Sequence, residues 1–397
     1  MNILKSTISK SSQLTHMQLI SKLAISPVPN YERILKNDKS QLFNNANDSL
    51  QTVLILLSKR SKKIFELRFI SIMNPYINKI LNDYLNSYSE ILKLIGSVEI
   101  ENVKNFKINN LEDNEKFVKI SEKILEIHSD NIIDLSNGIR EVSHDINKVN
   151  EFLNIHLSER ILLRLILNNH LNLSNNGINL LNTKLNVIET LNKSINFVNG
   201  MTLLKYYENI NFKIETIIIN KDNSIIKNSN ITEKTLQFQD EIIFPYFQDH
   251  LEYVLNELIK NSSRALIESN KNDLPINILI LINKLNNSLQ FKFSDNGNGI
   301  HPKVIDKLWN YSFTTVKNNN ENPTEDTVFD SSKDIQINAS NDLGINNFKP
   351  NPNLNIIAGM GYGLPLSLTY CKLFNGGIKI QSIWGKGTDV YVNFKGI

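Results

Sequence analysis

Glu257, Asn261, Arg264 and Glu268 recur at steps of four, three and four inside the stretch HLEYVLNELIKNSSRALIE at 250–268. On a helix they share one face, while Leu251, Val254, Leu255, Leu258, Ala265 and Leu266 form an apolar stripe on another. A carboxylate at 257 can accept a proton from an attacking hydroxyl or water. One turn on, the Asn261 amide oxygen suits a hard cation such as Mg2+, which keeps waters and phosphates as its remaining ligands. Lys260 and Arg264 can offset phosphate charge. A solvated helix face would carry the same residues, so the helix by itself decides nothing.

Three glycine clusters downstream give the pattern meaning. Asp295-Asn296-Gly297-Asn298-Gly299 comes first, then Gly359-Met360-Gly361-Tyr362-Gly363-Leu364, then Gly385-Lys386-Gly387-Thr388. Asp295 ends an alternating strand, and a carboxylate there can accept from an exocyclic amine such as that of adenine. Gly297 and Gly299 would let the backbone approach the base. The second cluster runs into Pro365, a good first-turn residue, so a glycine loop feeds a helix N-terminus, a ready phosphate site. Each cluster taken singly also reads as a tight turn. No G-x-x-x-x-G-K-[ST] phosphate loop is present. In this order, the acid–amide helix and its glycine clusters describe a nucleotide pocket.

These residues need a scaffold. At 397 residues the chain has room for more than one domain, and 41% hydrophobic with 21% charged residues fits globular domains. The net charge of +3 brings no dense basic block, so nothing calls for nucleic acid. One cysteine, Cys371, excludes an intrachain disulfide framework and a multi-cysteine zinc site. No run approaches the roughly 18–20 apolar residues of a membrane span. From Met1 to Tyr31 there is no Asp or Glu, and lysines are scattered among hydroxyl residues, the composition of a mitochondrial presequence expected over 1–20.

Helical periodicity marks 53–70, 76–95, 114–127, 131–142 and 147–173, which predicts an all-α bundle over 21–185. A further helix is expected at 187–208. After it the period changes. Strands are expected at 212–220, 241–244, 276–282 and 289–293, with a final hairpin of 378–383 and 389–394. Residues 186–397 therefore form an α+β sandwich, a mixed sheet with helices on one face. The polar span 315–357 has almost no apolar period and sits between two glycine clusters, where a nucleotide lid belongs.

On these residues the C-terminal half resembles the GHKL (histidine-kinase-like) ATPase superfamily. Within it the chain, over about 21–394, resembles the mitochondrial protein kinases of the α-ketoacid dehydrogenase complexes. The strings that carry the likeness are Glu257-Leu258-Ile259-Lys260-Asn261 with Arg264-Ala265, Tyr311-Ser312-Phe313-Thr314-Thr315, Gly361-Tyr362-Gly363-Leu364-Pro365 and Gly387-Thr388-Asp389-Val390-Tyr391. In the helical half they are His128-Ser129-Asp130 and the run from Ser158-Glu159-Arg160 through Arg164 to Asn168-Asn169-His170. The chain departs from the family's usual Asp-Arg-Gly-Gly-Gly at 295–299 and carries Ser262-Ser263 where Ala-Met is usual.

The resemblance implies an ATP- and Mg2+-dependent protein-serine kinase of the mitochondrial matrix. Its target would be the decarboxylase α subunit of pyruvate dehydrogenase, or alternatively the branched-chain enzyme, which Tyr253, Phe313-Thr314-Thr315 and Thr388-Asp389-Val390-Tyr391 favour. Adenine would meet Asp295, Mg2+ would meet Asn261, and Glu257 would orient or deprotonate the substrate serine, with Lys260 and Arg264 beside the phosphates. The implied nucleotide-binding set is Glu257 through Arg264 (Leu258, Ile259, Lys260, Asn261, Ser262 and Ser263 included), Asp295, Gly297, Gly299, Thr314, Thr315, Gly359, Met360, Gly361, Tyr362, Gly363, Leu364 and Thr388. The implied partners are the lipoyl domain of the acyltransferase core, held by the bundle, and a second copy of the chain, paired through the sheet. Competing readings are a clamp-type GHKL ATPase, an ATP-binding scaffold without transfer, and a phosphohistidine enzyme using His128. The clamp type would place the acid–amide helix near the chain start.

Overall fold

The computed structural model describes residues 10–142, 146–229, 242–311, 313 and 361–396. The chain divides after Leu180 into a helical unit and an α/β unit, slightly before the expected boundary at 185/186.

The helical unit contains α1 (Lys10–Ala24), α2 (Tyr31–Lys36), α3 (Leu42–Phe65), α4 (Phe69–Met73), α5 (Pro75–Ile95), α6 (Ile100–Asn105), α7 (Leu111–Ile127), α8 (Asn131–Val142) and α9 (Ile146–Asn176). Local sequence sets the ends. Asn74 caps α5 by accepting from the N–H groups of Tyr76 and Ile77, Pro75 opens the helix, and Gly96 closes it at φ 73°. Helix α3 packs against α1, α5 and α9, and α7 against α5 and α9. Leu50, Val53, Leu54, Leu56, Ile80, Ile91, Phe117, Leu153 and Ile166 fill the core. Helix α1 runs through residue 20, the expected presequence limit, and Leu19, Ile20 and Leu23 are buried.

A polar seam crosses this core. The buried Arg60 donates to the His156 carbonyl and to the Tyr84 hydroxyl, and Tyr84 lies 2.9 Å from His156 Nε2. His128 is 3% exposed, edge-on to Tyr84 at 5.1 Å and bonded to Ser87 at 2.9 Å. Burial, then the Arg60 charge, drives its imidazole down to about 3. A neutral ring enclosed by side chains is not presented to a phosphoryl donor.

The α/β unit contains β1 (Asn182–Asn186), α10 (Val187–Tyr206), β2 (Phe212–Ile219), β3 (Ile225–Ser229), β4 (Ile243–Tyr246), α11 (Gln248–Glu268), β5 (Ile276–Asn283), β6 (Ser288–Asp295), α12 (Pro302–Ile305), α13 (Gly363–Leu373), β7 (Gly377–Ile383) and β8 (Gly387–Lys395). Six strands form one sheet in the order β3-β2-β5-β6-β8-β7; β2 and β5 run parallel and every other neighbour is antiparallel. Strands β1 and β4 make a separate two-stranded ribbon. β1 and β3 are absent from the sequence expectation because Asn182–Asn186 and Ile225–Ser229 carry little apolar alternation.

Period-two alternation decides which face is covered. Ile276, Ile278, Ile280 and Ile282 on β5, Leu289, Phe291 and Phe293 on β6, and Val390, Val392 and Phe394 on β8 are buried. Lys213, Glu215, Gln290, Lys379 and Gln381 point the other way and are exposed. Helices α11 and α13 pack on the inner face and against one another, sealed by Tyr253 on Tyr370 at 4.8 Å and Phe247 on Phe374 at 5.3 Å. Because Asp295 stands two residues beyond Phe293, the same alternation aims its carboxyl toward the helices.

Phe293 is therefore both core and support for Asp295. F293A should destabilise this unit by ~3–5 kcal/mol, read as a lower denaturant midpoint; an unchanged midpoint would mean that the inner face is not the packing surface.

Candidate nucleotide and phosphoryl-transfer site

The site of the α/β unit is built along α11. Its buried side chains include Leu258 and Ile259, at 2% and 0% exposure, so these two hold the helix in place and do not face a ligand. Ser263 is likewise fully buried. These three belong to the implied nucleotide-binding set through the motif they interrupt, not through their own side chains. Glu257, Asn261 and Arg264 occupy the other side of the helix, as their spacing predicts, with Lys260 beside them.

The Glu257 carboxylate is held from two directions. The Lys260 ammonium donates to Oε1 one turn on. On the other side lies Gly363, the first residue of α13: a Cβ there would collide with Glu257 Oε2, so a larger residue would make the carboxylate shift. The N–H groups of the first turn of α13 have no intrahelical acceptor, and the helix dipole is positive there, which favours a neighbouring anion. The first intrahelical bond runs from the Leu366 N–H to the Tyr362 carbonyl at 2.9 Å. Pro365, three residues into the helix, contributes no donor. Glu257 thus stands beside the end of a helix that can also receive phosphate oxygens.

Asp295 marks the other end. It is 7% exposed, and its Oδ1 accepts from the Gly297 N–H at 3.0 Å. Burial pushes its carboxyl up to about 6, against hydrogen bonds from Gly297, Ser262 and Thr388 that pull it down. Ser262 is thereby explained: although buried, it ties α11 to the strand bearing Asp295. Thr388 faces Asp295 across the β6–β8 ladder. Its hydroxyl lies 3.0 Å from that of Ser382, which also accepts from the Ile300 N–H at 2.7 Å and donates to the Gly387 carbonyl at 3.0 Å. Ser382 thus joins the first and third glycine clusters. It is missing from the sequence reading, and its one signal there is its place in strand β7, opposite Thr388 in the register.

The other expected residues are distributed around this frame. Gly299 abuts the backbone of Ile383, and Gly361 that of Phe313. Tyr362 is buried with its ring 5.3 Å from Tyr311, while Leu364 is half-buried. Arg264 pairs with Glu268 at 3.4 Å along the helix. Thr314, Thr315, Gly359, Met360 and the expected lid at 315–357 lie outside the described residues. Among the described residues no group of three or more His, Cys, Asp or Glu could hold a metal ion. The exposed Asn261 fits Mg2+ of the nucleotide-borne kind, in which an amide oxygen supplements phosphate ligands.

Comparison with known proteins agrees with both halves. Residues 29–198 match the family described as mitochondrial branched-chain alpha-ketoacid dehydrogenase kinase. Residues 247–396 match the histidine kinase-, DNA gyrase B- and HSP90-like ATPase family. The mitochondrial pyruvate dehydrogenase (acetyl-transferring) kinase 1 of Saccharomyces cerevisiae is 27% identical over 95% of this chain and 86% of its own length. The human mitochondrial kinase isozyme 1 of the same name is 24% identical over 87% of this chain and 72% of its own. Human isozyme 4 is 31% identical over a shorter stretch, 42% of this chain and 34% of its own. One family model thus matches the helical half and another the α/β half, and the relatives named pyruvate dehydrogenase kinase align across both, so the chain is similar throughout to the mitochondrial α-ketoacid dehydrogenase kinases of the GHKL superfamily.

Proposed function

We propose that this protein kinase works in the mitochondrial matrix and transfers the γ-phosphate of ATP to a serine of the decarboxylase α subunit of pyruvate dehydrogenase, inactivating that complex. The observation that carries the reading is the similarity to a kinase named for pyruvate dehydrogenase across 95% of the chain, both units included. The acid-free segment Met1–Tyr31 supports import. The branched-chain dehydrogenase is the second reading, favoured by the family description matched at 29–198. The helical unit is proposed to hold the lipoyl domain of the acyltransferase core, and the exposed outer sheet face to pair two copies.

Phosphoryl transfer leaves the protein little covalent work; positioning and charge placement dominate. Asp295, when ionised, accepts from the adenine amine and fixes the base. The first turn of α13 offers N–H groups to phosphate oxygens. Asn261 would hold Mg2+, which neutralises charge on the phosphates. Glu257 accepts the hydrogen bond, then the proton, of the attacking serine hydroxyl as it moves in line with the γ-phosphate. Lys260 keeps the carboxylate aimed, and Gly363 leaves it the space to stand there.

The direct test is labelling from Mg-ATP of purified pyruvate and branched-chain decarboxylases, side by side, each with its own lipoyl core. Label on a serine of the pyruvate enzyme is expected; label only on the branched-chain enzyme would move the assignment, and no label despite bound ATP would leave an ATP-binding scaffold. E257Q should lower kcat by ~10²–10⁴ with ATP affinity retained, whereas undiminished transfer would remove Glu257 from the proton's path. G363A should behave similarly, because its methyl group displaces the same carboxylate; a loss confined to ATP affinity would contradict that placement. The raised carboxyl of Asp295 sets the sign of the pH effect. Protonation blocks acceptance from the adenine amine, so ATP affinity should hold above about 6 and fall as pH drops through that value. D295N should lack this step, which titration calorimetry across pH 5–8 would check; identical profiles would show that Asp295 does not meet the base.

A further inference from the structure

The turn that carries Asp295 is seated on the last turn of α11. A Cβ on Gly297 would lie 2.9 Å from the Cβ of Ala265 and 3.0 Å from its carbonyl oxygen, so the turn meets the helix backbone to backbone. Helix α11 then stops in a left-handed cap. Asn270 adopts φ 54°, its N–H bonds the Ile267 carbonyl at 3.0 Å, and the Lys271 N–H bonds the Leu266 carbonyl at 3.0 Å. This double bond pattern fixes the root of the Lys271 side chain. From there its ammonium donates to the Asn296 carbonyl at 2.9 Å and reaches the Gly297 carbonyl at 3.4 Å.

The consequence lies in one peptide plane. A trans peptide is flat, so the Asn296 carbonyl and the Gly297 N–H point in opposite directions. Drawing the carbonyl toward Lys271 turns the N–H toward Asp295, where it donates to Oδ1 at 3.0 Å. We propose that Lys271 is a positioning residue for the nucleotide: by holding the Asn296 and Gly297 carbonyls it orients the Gly297 N–H that fixes the Asp295 carboxylate for the adenine amine. This rests on the assignment of Asp295 to adenine. Lys271 acts through geometry and not as a charge on the carboxylate, whose titration answers to burial, to Gly297, Ser262 and Thr388, and to Asp389.

The test compares ATP with inosine triphosphate, which keeps the phosphates and ribose but carries a carbonyl in place of the adenine amine. Full-length K271M, K271R, D295A and the K271M/D295A double variant are titrated with both nucleotides and assayed for transfer. K271M should weaken ATP roughly tenfold and inosine triphosphate little, so the preference for ATP falls. Its kcat at saturating ATP should stay within about twofold of wild type, since the hydrogen bond acts on base placement and not on transfer. K271R, which can donate to the same carbonyls, should keep most of the preference, and K271M should add nothing in the D295A background. Wild-type preference in K271M, with the preference lost in D295A, would overturn the role of Lys271 alone. An unchanged preference in D295A would overturn the adenine assignment beneath it. Equal weakening of both nucleotides by K271M would show general damage instead of positioning. If K271M fails to fold, K271A, which likewise has no side-chain donor, replaces it, and a wild-type preference there would again refute the clamp.

Discussion

The contact between α11 and the inner face of the sheet is the constraint on which the rest of the α/β unit depends. One side of this helix buries Leu251, Val254, Leu255, Leu258, Ile259 and Leu266. Each such side chain withdrawn from water contributes about 1.5–3 kcal/mol. That apolar surface sets the rotation of the helix about its axis, and rotation decides where Glu257, Lys260, Asn261 and Arg264 go. A polar face chosen for chemistry is thus aimed by the apolar face opposite. Ser262 refines the aim, since its hydrogen bond reaches from the helix to the carboxylate at the end of β6.

The two acids of the site answer opposite needs. Asp295 is driven upward by burial, and its partners are hydroxyl and N–H donors with no cation among them. Burial resists the ionisation of such a group, and hydrogen-bond donors ease it. Glu257 has an ammonium on one oxygen and a helix N-terminus beside the other. These two neighbours fix where the carboxylate stands. One helix-and-sheet frame thus gives two carboxylates different surroundings.

Legibility of this design in the sequence is uneven, for physical reasons. Helical period and strand alternation survive in any element with one buried face, so α5, α7, α8, β5 and β6 emerge near their observed ends. Strand β3 does not, because none of its described side chains is buried and alternation needs a burial contrast. Helix α3 begins at Leu42, well before the expected 53, because its first turns bury Asn45, Asn47 and Ser49 through hydrogen bonds beside Ala46 and Leu50, which breaks the apolar period. Within the site, Glu257, Asp295 and Gly363 are legible from motif order. Ser382 and Lys271 are not, since each acts on backbone atoms far away in sequence, and a bond to a carbonyl or an N–H leaves no trace in the partner's residue type.

That asymmetry bears on how a nucleotide site of this kind can vary. The glycines at 297 and 363 are compelled by close approach, to Ala265 in one case and to Glu257 in the other, so any side chain there would displace a partner. The residues on either side of Gly297 are freer. Asn296 and Asn298 occupy places where the turn uses backbone groups: the Asn298 carbonyl accepts from the Gly385 N–H at 2.7 Å, and the Asn296 carbonyl is taken by Lys271. A turn held through its backbone tolerates new side chains as long as the carbonyls keep their donors. The asparagines that depart from the usual family text can therefore stand in this turn without loss of the pocket, because Lys271 and Gly385 bind what every residue type supplies.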